Sequence, residues 1–210
     1  MPASMIARPT PFRLLARILP TVALLLAAGT GHAQILPARY AVAGVAANDV
    51  LNVRAEPQAS APVLATLAPG ARGVEVLAIS EDGRWARVSL PEGAGWAALR
   101  FLSAEAAAPG PVPRPLRCLG TEPFWSIRLS EDASVFDSPE SGAVPLRPLG
   151  EAGGRVGAVA AFDAGGETLD LTLIRQECSD GMSDRPYGFA ALAWNRGEVF
   201  LEGCCTVSSQ

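Results

Sequence analysis

The sequence predicts an all-β protein made of two small antiparallel domains, the second of them held by disulfides. Three observations predict it. Gly 21 and Pro 18 among 210 residues favour short strands and frequent turns over long helices. Apolar and polar residues alternate in short runs bounded by turn residues, the pattern of half-buried strands. Four cysteines, Cys118, Cys178, Cys204 and Cys205, all fall in the later part of the chain. With 49% hydrophobic and 18% charged residues the chain has the apolar content for packed cores.

The basic residues exclude much chemistry. All 17 are arginine, and the single histidine is His32. A Schiff-base lysine, a phosphate-loop lysine, a Ser–His or Cys–His couple and a histidine-based metal site all require residues that are missing or lie in the first segment. That segment, 1–33, reads as a secretory signal peptide. Arg8, Arg13 and Arg17 form its basic region, an apolar stretch runs from Ile18 to Ala28, and small residues at Gly31 and Ala33 suit cleavage after Ala33. The apolar stretch is shorter than the roughly 20 residues of a membrane span and is interrupted by Pro20. The expected location is therefore periplasmic or secreted, with no stable membrane insertion once the leader is removed.

Without the leader the basic count falls to 14 against 21 acids, a net charge of −7. Such a chain lacks the basic face needed to neutralise phosphates, so nucleic acid is not an expected partner. The expected partner is a cell-wall peptide or an envelope protein. No cofactor and no metal are expected.

An even number of cysteines in an exported chain implies two disulfides. A bond between neighbours Cys204 and Cys205 requires a strained ring. Two pairings remain. On a strand, Cys204 and Cys205 point to opposite faces and must reach different partners; Cys178–Cys204 with Cys118–Cys205 is the preferred pair. No C-x-x-C spacing supports a redox or zinc site.

Residues 104–115, Ala-Glu-Ala-Ala-Ala-Pro-Gly-Pro-Val-Pro-Arg-Pro, read as a linker whose alternate prolines impose an extended, semi-rigid spacer. It separates a module at 37–103 from one at 116–207, both of ordinary domain size. In the first, strands are expected at Val50–Arg54, Val63–Leu67, Val74–Ile79, Trp85–Leu90 and Gly95–Ala98, with turns at Pro69-Gly70 and around Gly83. Trp85, Arg87 and Ser89 share one face of their strand. Trp96 and Phe101 are expected in or at the edge of the core.

In the second module Phe124–Leu129 and Leu169–Arg175 alternate, with Leu169, Leu171 and Leu173 inward. Phe189–Trp194, the turn Asn195-Arg196-Gly197 and Val199–Leu201 form a hairpin. The Gly/Ala-rich stretch 150–166 carries little signal. A small antiparallel barrel or sandwich is expected.

Leu51-Asn52-Val53-Arg54-(x)2-Pro57, Pro62-Val63-Leu64, Leu67-(x)2-Gly70, Val74-Glu75-Val76-Leu77, Gly83-Arg84-Trp85-Ala86-Arg87-Val88, Gly95-Trp96 and Leu99-Arg100-Phe101-Leu102 occur in this order. Together they resemble the bacterial SH3 domain. The resemblance implies an SH3-like barrel of five to six strands that binds peptidoglycan peptides or targets an attached domain. Its peptide groove falls near Asn52, Arg54 and the loop to Pro62, with Trp85 beside it. Arg54 alternatively holds that loop by hydrogen bonds. The later segments Gly120-Thr121-Glu122-Pro123-Phe124-Trp125, Cys178-Ser179-Asp180-Gly181-Met182-Ser183-Asp184-Arg185-(x)-Tyr187 and Gly203-Cys204-Cys205 are similar to a domain of uncharacterised exported or envelope-associated bacterial proteins.

Glu122, Asp180 and Asp184 invite a reading as a carboxylate-pair glycoside hydrolase acting on wall glycans. Asp180 and Asp184 sit among turn formers, where aspartate side chains bond nearby backbone amides, and Arg185 can pair with either. The spacing of Asp180, Ser183 and Asp184 does not match a calcium loop. Phe124 and Trp125 point to opposite faces of a strand, one into the core and the other toward solvent. The function expected is non-enzymatic: a wall-peptide-binding module joined to a second domain of binding function, for which Trp125, Asp180, Asp184 and Arg185 are the candidate residues. An acidic inhibitor of a lysozyme-type hydrolase is the alternative.

Overall fold

A computed structural model describes residues 35–195 and 199–208. The expected leader and cleavage point, like the turn residues Arg196 and Gly197, lie outside the described residues. Strands β1 (Ala38–Val42), β2 (Leu51–Arg54), β3 (Val63–Leu67), β4 (Val74–Ile79), β5 (Trp85–Ser89), β6 (Ala94–Ala98) and β7 (Leu102–Ala104) form one sheet of order β3-β2-β6-β5-β4-β1-β7. A short 3-10 turn, Leu99–Phe101, links the last two strands. Every pairing is antiparallel. The alternation in the sequence does the folding here: Leu51 and Val53, Val74 and Val76, and Ala86 and Val88 all point inward and are buried.

The second sheet is built from β8 (Leu116–Thr121), β9 (Phe124–Leu129), β10 (Ser134–Ser138), β11 (Gly142–Pro145), β12 (Arg147–Gly153), β13 (Gly157–Ala164), β14 (Glu167–Cys178), β15 (Tyr187–Asn195) and β16 (Val199–Thr206). Its order is β11-β10-β9-β8-β16-β15-β14-β13-β12. The two edge strands, β11 and β12, are consecutive in sequence and separated by the single buried residue Leu146. One residue cannot span a flat sheet of nine strands, so the sheet must curl until its edges meet. A nearly closed barrel is the outcome. Its core is built by Phe162, Phe189, Ile127 and Leu129 together with the expected inward row of Leu169, Leu171 and Leu173. All-β architecture thus holds for both parts.

The low-signal stretch forms most of the β12–β13 hairpin. Its small residues give little contrast between faces, so its strands are set by pairing, β13 with β14 and β12 with β13. Between β13 and β14, Gly165 and Gly166 both take positive φ (72° and 102°), the backbone that a two-residue hairpin demands.

The disulfides are Cys118–Cys205 and Cys178–Cys204. Cys118 and Cys205 are directly opposite on β8 and β16, with Cα atoms 3.9 Å apart; the second bridge leaves from the other face of β16 toward β14.

The proline stretch is not a free spacer. Val112 is fully buried in the second core, Arg114 pairs with Glu151, and Glu105 pairs with Arg39 of β1 and with Arg72 in the segment ahead of β4. An apolar side chain among the prolines finds a core, and that ties the segment down. Direct contacts also join the two barrels. Glu75, on the outer face of β4, is completely buried; it accepts hydrogen bonds from the Thr206 hydroxyl (2.6 Å) and the Val207 N–H (3.0 Å). Ser89 Oγ donates to the Pro186 carbonyl at 3.1 Å, and Arg87 pairs with Glu177.

Candidate functional site

The first barrel presents a groove of about 450 Å³ on its outer surface. Period-two alternation supplies it. With Leu51 and Val53 inside, Asn52 and Arg54 face out; with Ala86 and Val88 inside, Trp85 faces out. Ala98 lies opposite Trp85 across β5–β6, and its small side chain leaves room beside the indole. Asn52, Arg54 and Trp85, separated by more than 30 positions at the extremes, all line this groove, joined by Asp49, Arg100 and Phe101.

Arg54 has a second task. Its Nη1 donates to the Ala61 carbonyl at 2.7 Å and so holds the 55–62 loop, as the alternative reading expected. Arg100 stacks over Phe101 with 4.6 Å from the guanidinium carbon to the ring centre. Asp49 accepts a hydrogen bond from the neighbouring Val50 N–H at 2.8 Å. Two guanidiniums against one carboxylate make the groove locally positive within an acidic chain, a setting for a ligand carboxylate. Arg100 and Asp49 were not among the expected site residues. Phe101, expected in or at the edge of the core, packs against the core while also lining the groove. Trp96 is half-buried and takes no place in the core. The outer face of β5 is divided: Trp85 opens onto the groove, whereas Arg87 and Ser89 are covered by the second barrel.

In the second barrel Trp125, a candidate binding residue, is the inward member of the Phe124–Trp125 pair and a core residue. Trp125 is 4% exposed and its neighbour Phe124 is 58% exposed. The indole N–H donates to the Glu202 carbonyl at 3.1 Å. Two glycines make space for it. A Cβ on Gly120 would stand 2.0 Å from Trp125 Nε1, and one on Gly203 would stand 2.7 Å from the indole and 2.1 Å from the Leu119 carbonyl oxygen. The motif glycines at 120 and 203 are therefore the cradle of Trp125.

Asp180 is engaged within its own turn. It accepts the N–H groups of Met182 and Ser183, each at 3.0 Å, and the hydroxyls of Ser183 and Tyr187. Burial pulls its pKa upward, but these donors together outweigh burial and hold it below the ordinary carboxylate value. Tyr187 is pushed up, by burial first and by that hydrogen bond second. Glu122 and Asp180 border one shallow groove on the solvent side of the sheet, beside Cys178–Cys204. Asp184 is exposed. Arg185 lies over the Tyr187 ring and reaches the Thr206 hydroxyl at 3.4 Å, which places it at the junction of the barrels. The four candidates of this module do not converge on one site.

Among the described residues no helix is long and apolar enough to cross a membrane. No curated protein and no solved structure matches the chain. The family model described as bacterial SH3 domain matches residues 49–103, which spans β2 to β7 and every groove residue named above. With β1 completing the sheet ahead of that match, residues 49–103 are a bacterial SH3 domain.

Proposed function

We propose that the chain is a non-catalytic, extracytoplasmic binding protein whose SH3 domain holds cell-wall peptide in the groove between Asn52, Arg54 and Trp85. The observation that carries the reading is the convergence of these three residues on one open, locally positive groove. An aromatic face, an amide and two guanidiniums suit a short peptide bearing a free carboxylate. A chain with two disulfides fits an oxidising compartment. The non-catalytic reading draws support from Asp180, whose oxygens are engaged by donors of its own segment.

Co-sedimentation with purified sacculi tests this. The chain is expected to be retained, and Trp85→Ala to weaken retention about ten-fold or more. Asn52→Ala, at a position with no packing role, is expected to weaken it less while leaving thermal unfolding unchanged. Retention unaffected by either substitution would refute the groove. Release of soluble muropeptides would refute the non-catalytic reading, and protection of sacculi from lysozyme would favour the inhibitor instead.

A further inference from the structure

The second barrel holds a cavity of about 660 Å³ at one end, within the range of small-molecule sites. Its walls are Trp125, Phe136, Val144, Leu169 and Leu201, with Phe124 at the mouth. Three exposed carboxylates, Glu122, Glu140 and Glu167, belong to the same lining, and no arginine does among the described residues. Asn195 also lines it, and Asn195 Oδ1 is buried without a hydrogen-bond partner. On the outer side of the same strand ends, Trp194 and Phe200 sit opposite each other across β15–β16, 47% and 58% exposed.

From these we infer that the barrel end is a binding site for an amphiphile with an apolar tail and an ammonium head. The tail fills the apolar cavity. The head lies among three carboxylates, with no arginine among the described residues that line the cavity. Its N–H groups can satisfy the orphan acceptor of Asn195, which an anionic or quaternary head cannot do. The site is separate from the SH3 groove and does not depend on its function.

Isothermal titration of the purified chain with dodecylammonium, dodecyl sulfate and dodecyl maltoside, each below its micelle concentration, tests the inference. Saturable binding of one dodecylammonium per chain is expected, at least about ten-fold tighter than dodecyl sulfate. Each methylene removed from the tail is expected to weaken it about four-fold. The triple variant Glu122→Gln, Glu140→Gln, Glu167→Gln is expected to lose the preference for ammonium yet bind the maltoside as before, which reports that the cavity is intact. Val144→Trp, on an edge strand, is expected to fill the cavity and abolish binding of all three. Equal affinity for the sulfate, a preference that survives the triple variant, or binding that survives Val144→Trp would each overturn the inference.

Discussion

The two barrels solve the same problem at different sizes. In the SH3 domain and its flanking strands, seven short strands enclose a core of valine, leucine and alanine with Tyr40 as its one large aromatic, and these side chains fill it. Nothing is left inside for a ligand, so its groove lies on the outer face. In the second barrel, nine strands enclose a wider interior. Phenylalanine, tryptophan and leucine fill most of it, and one end stays open. The small barrel offers a polar surface groove, and the large one offers an apolar cavity with an acidic rim. Strand number sets interior width, and width decides whether a β-barrel binds outside or inside.

The barrels also differ in what holds them. Both disulfides staple the larger one, and none touches the smaller. In the chain-entropy account, closing the 87-residue separation of Cys118–Cys205 stabilises by about 4.6 kcal/mol, and the 26-residue separation of Cys178–Cys204 by about 3.5 kcal/mol. Replacing each pair by alanine should therefore lower protection from hydrogen exchange in β8–β16, the first pair more than the second, with β2–β6 little changed. Equal losses in the two barrels would show that they unfold as one unit and would remove this distinction.

Close-packed glycines sharpen the comparison further. Gly203→Ala drives a Cβ to 2.1 Å from a backbone oxygen that cannot turn aside, and a cost of about 3 kcal/mol is expected. Gly95→Ala in the SH3 domain meets the Val53 methyl at 2.6 Å and the Arg54 carbonyl at 3.0 Å. Of these only the backbone oxygen is fixed, so the cost should be about 1 kcal/mol. Thermal unfolding measures both. Gly203→Ala should also red-shift the fluorescence of Trp125 as its indole is displaced toward solvent.

How much of this the sequence discloses follows from distance along the chain. Alternation within one strand is local, so the inward row Leu169, Leu171 and Leu173 and the outward Asn52 and Arg54 can be read directly. The SH3 groove is legible because the motif order brings Asn52, Arg54 and Trp85 to one face. The cavity is not, since its walls, Trp125, Phe136, Val144, Leu169 and Leu201, come from five strands whose register only the closed barrel sets. The β12–β13 hairpin is hidden by its glycines and alanines: Ala158 and Ala160 alternate inward on β13, but their outward neighbours are as small and apolar, so no contrast marks the strand in the sequence. Glu75 is hidden for a different reason. Alternation in Val74-Glu75-Val76 places it outside the barrel, and only the docking of the second barrel turns outside into buried.

That buried carboxylate yields the smallest effect, and it tests whether the barrels are coupled. Desolvation raises the pKa of Glu75 above its ordinary value of 4.5, against the opposing pull of the Thr206 and Val207 hydrogen bonds and of Arg185. A carboxyl whose folded pKa is raised prefers to stay protonated in the folded protein. Its contribution is full below the unfolded pKa and is lost as pH rises through the folded value. Asp180, with a lowered pKa, acts in the opposite sense and loses its contribution as pH falls. Urea unfolding at a series of pH values above 4.5 should show stability declining from Glu75 by no more than about 1.4 kcal/mol per pH unit. Glu75→Gln cannot ionise but keeps one acceptor oxygen where Thr206 and Val207 use two, so the difference between variant and parent should carry a constant offset and shift with rising pH in the variant's favour. A difference that is flat with pH would mean that the junction opens before Glu75 ionises and that the two barrels are stable independently of their contact.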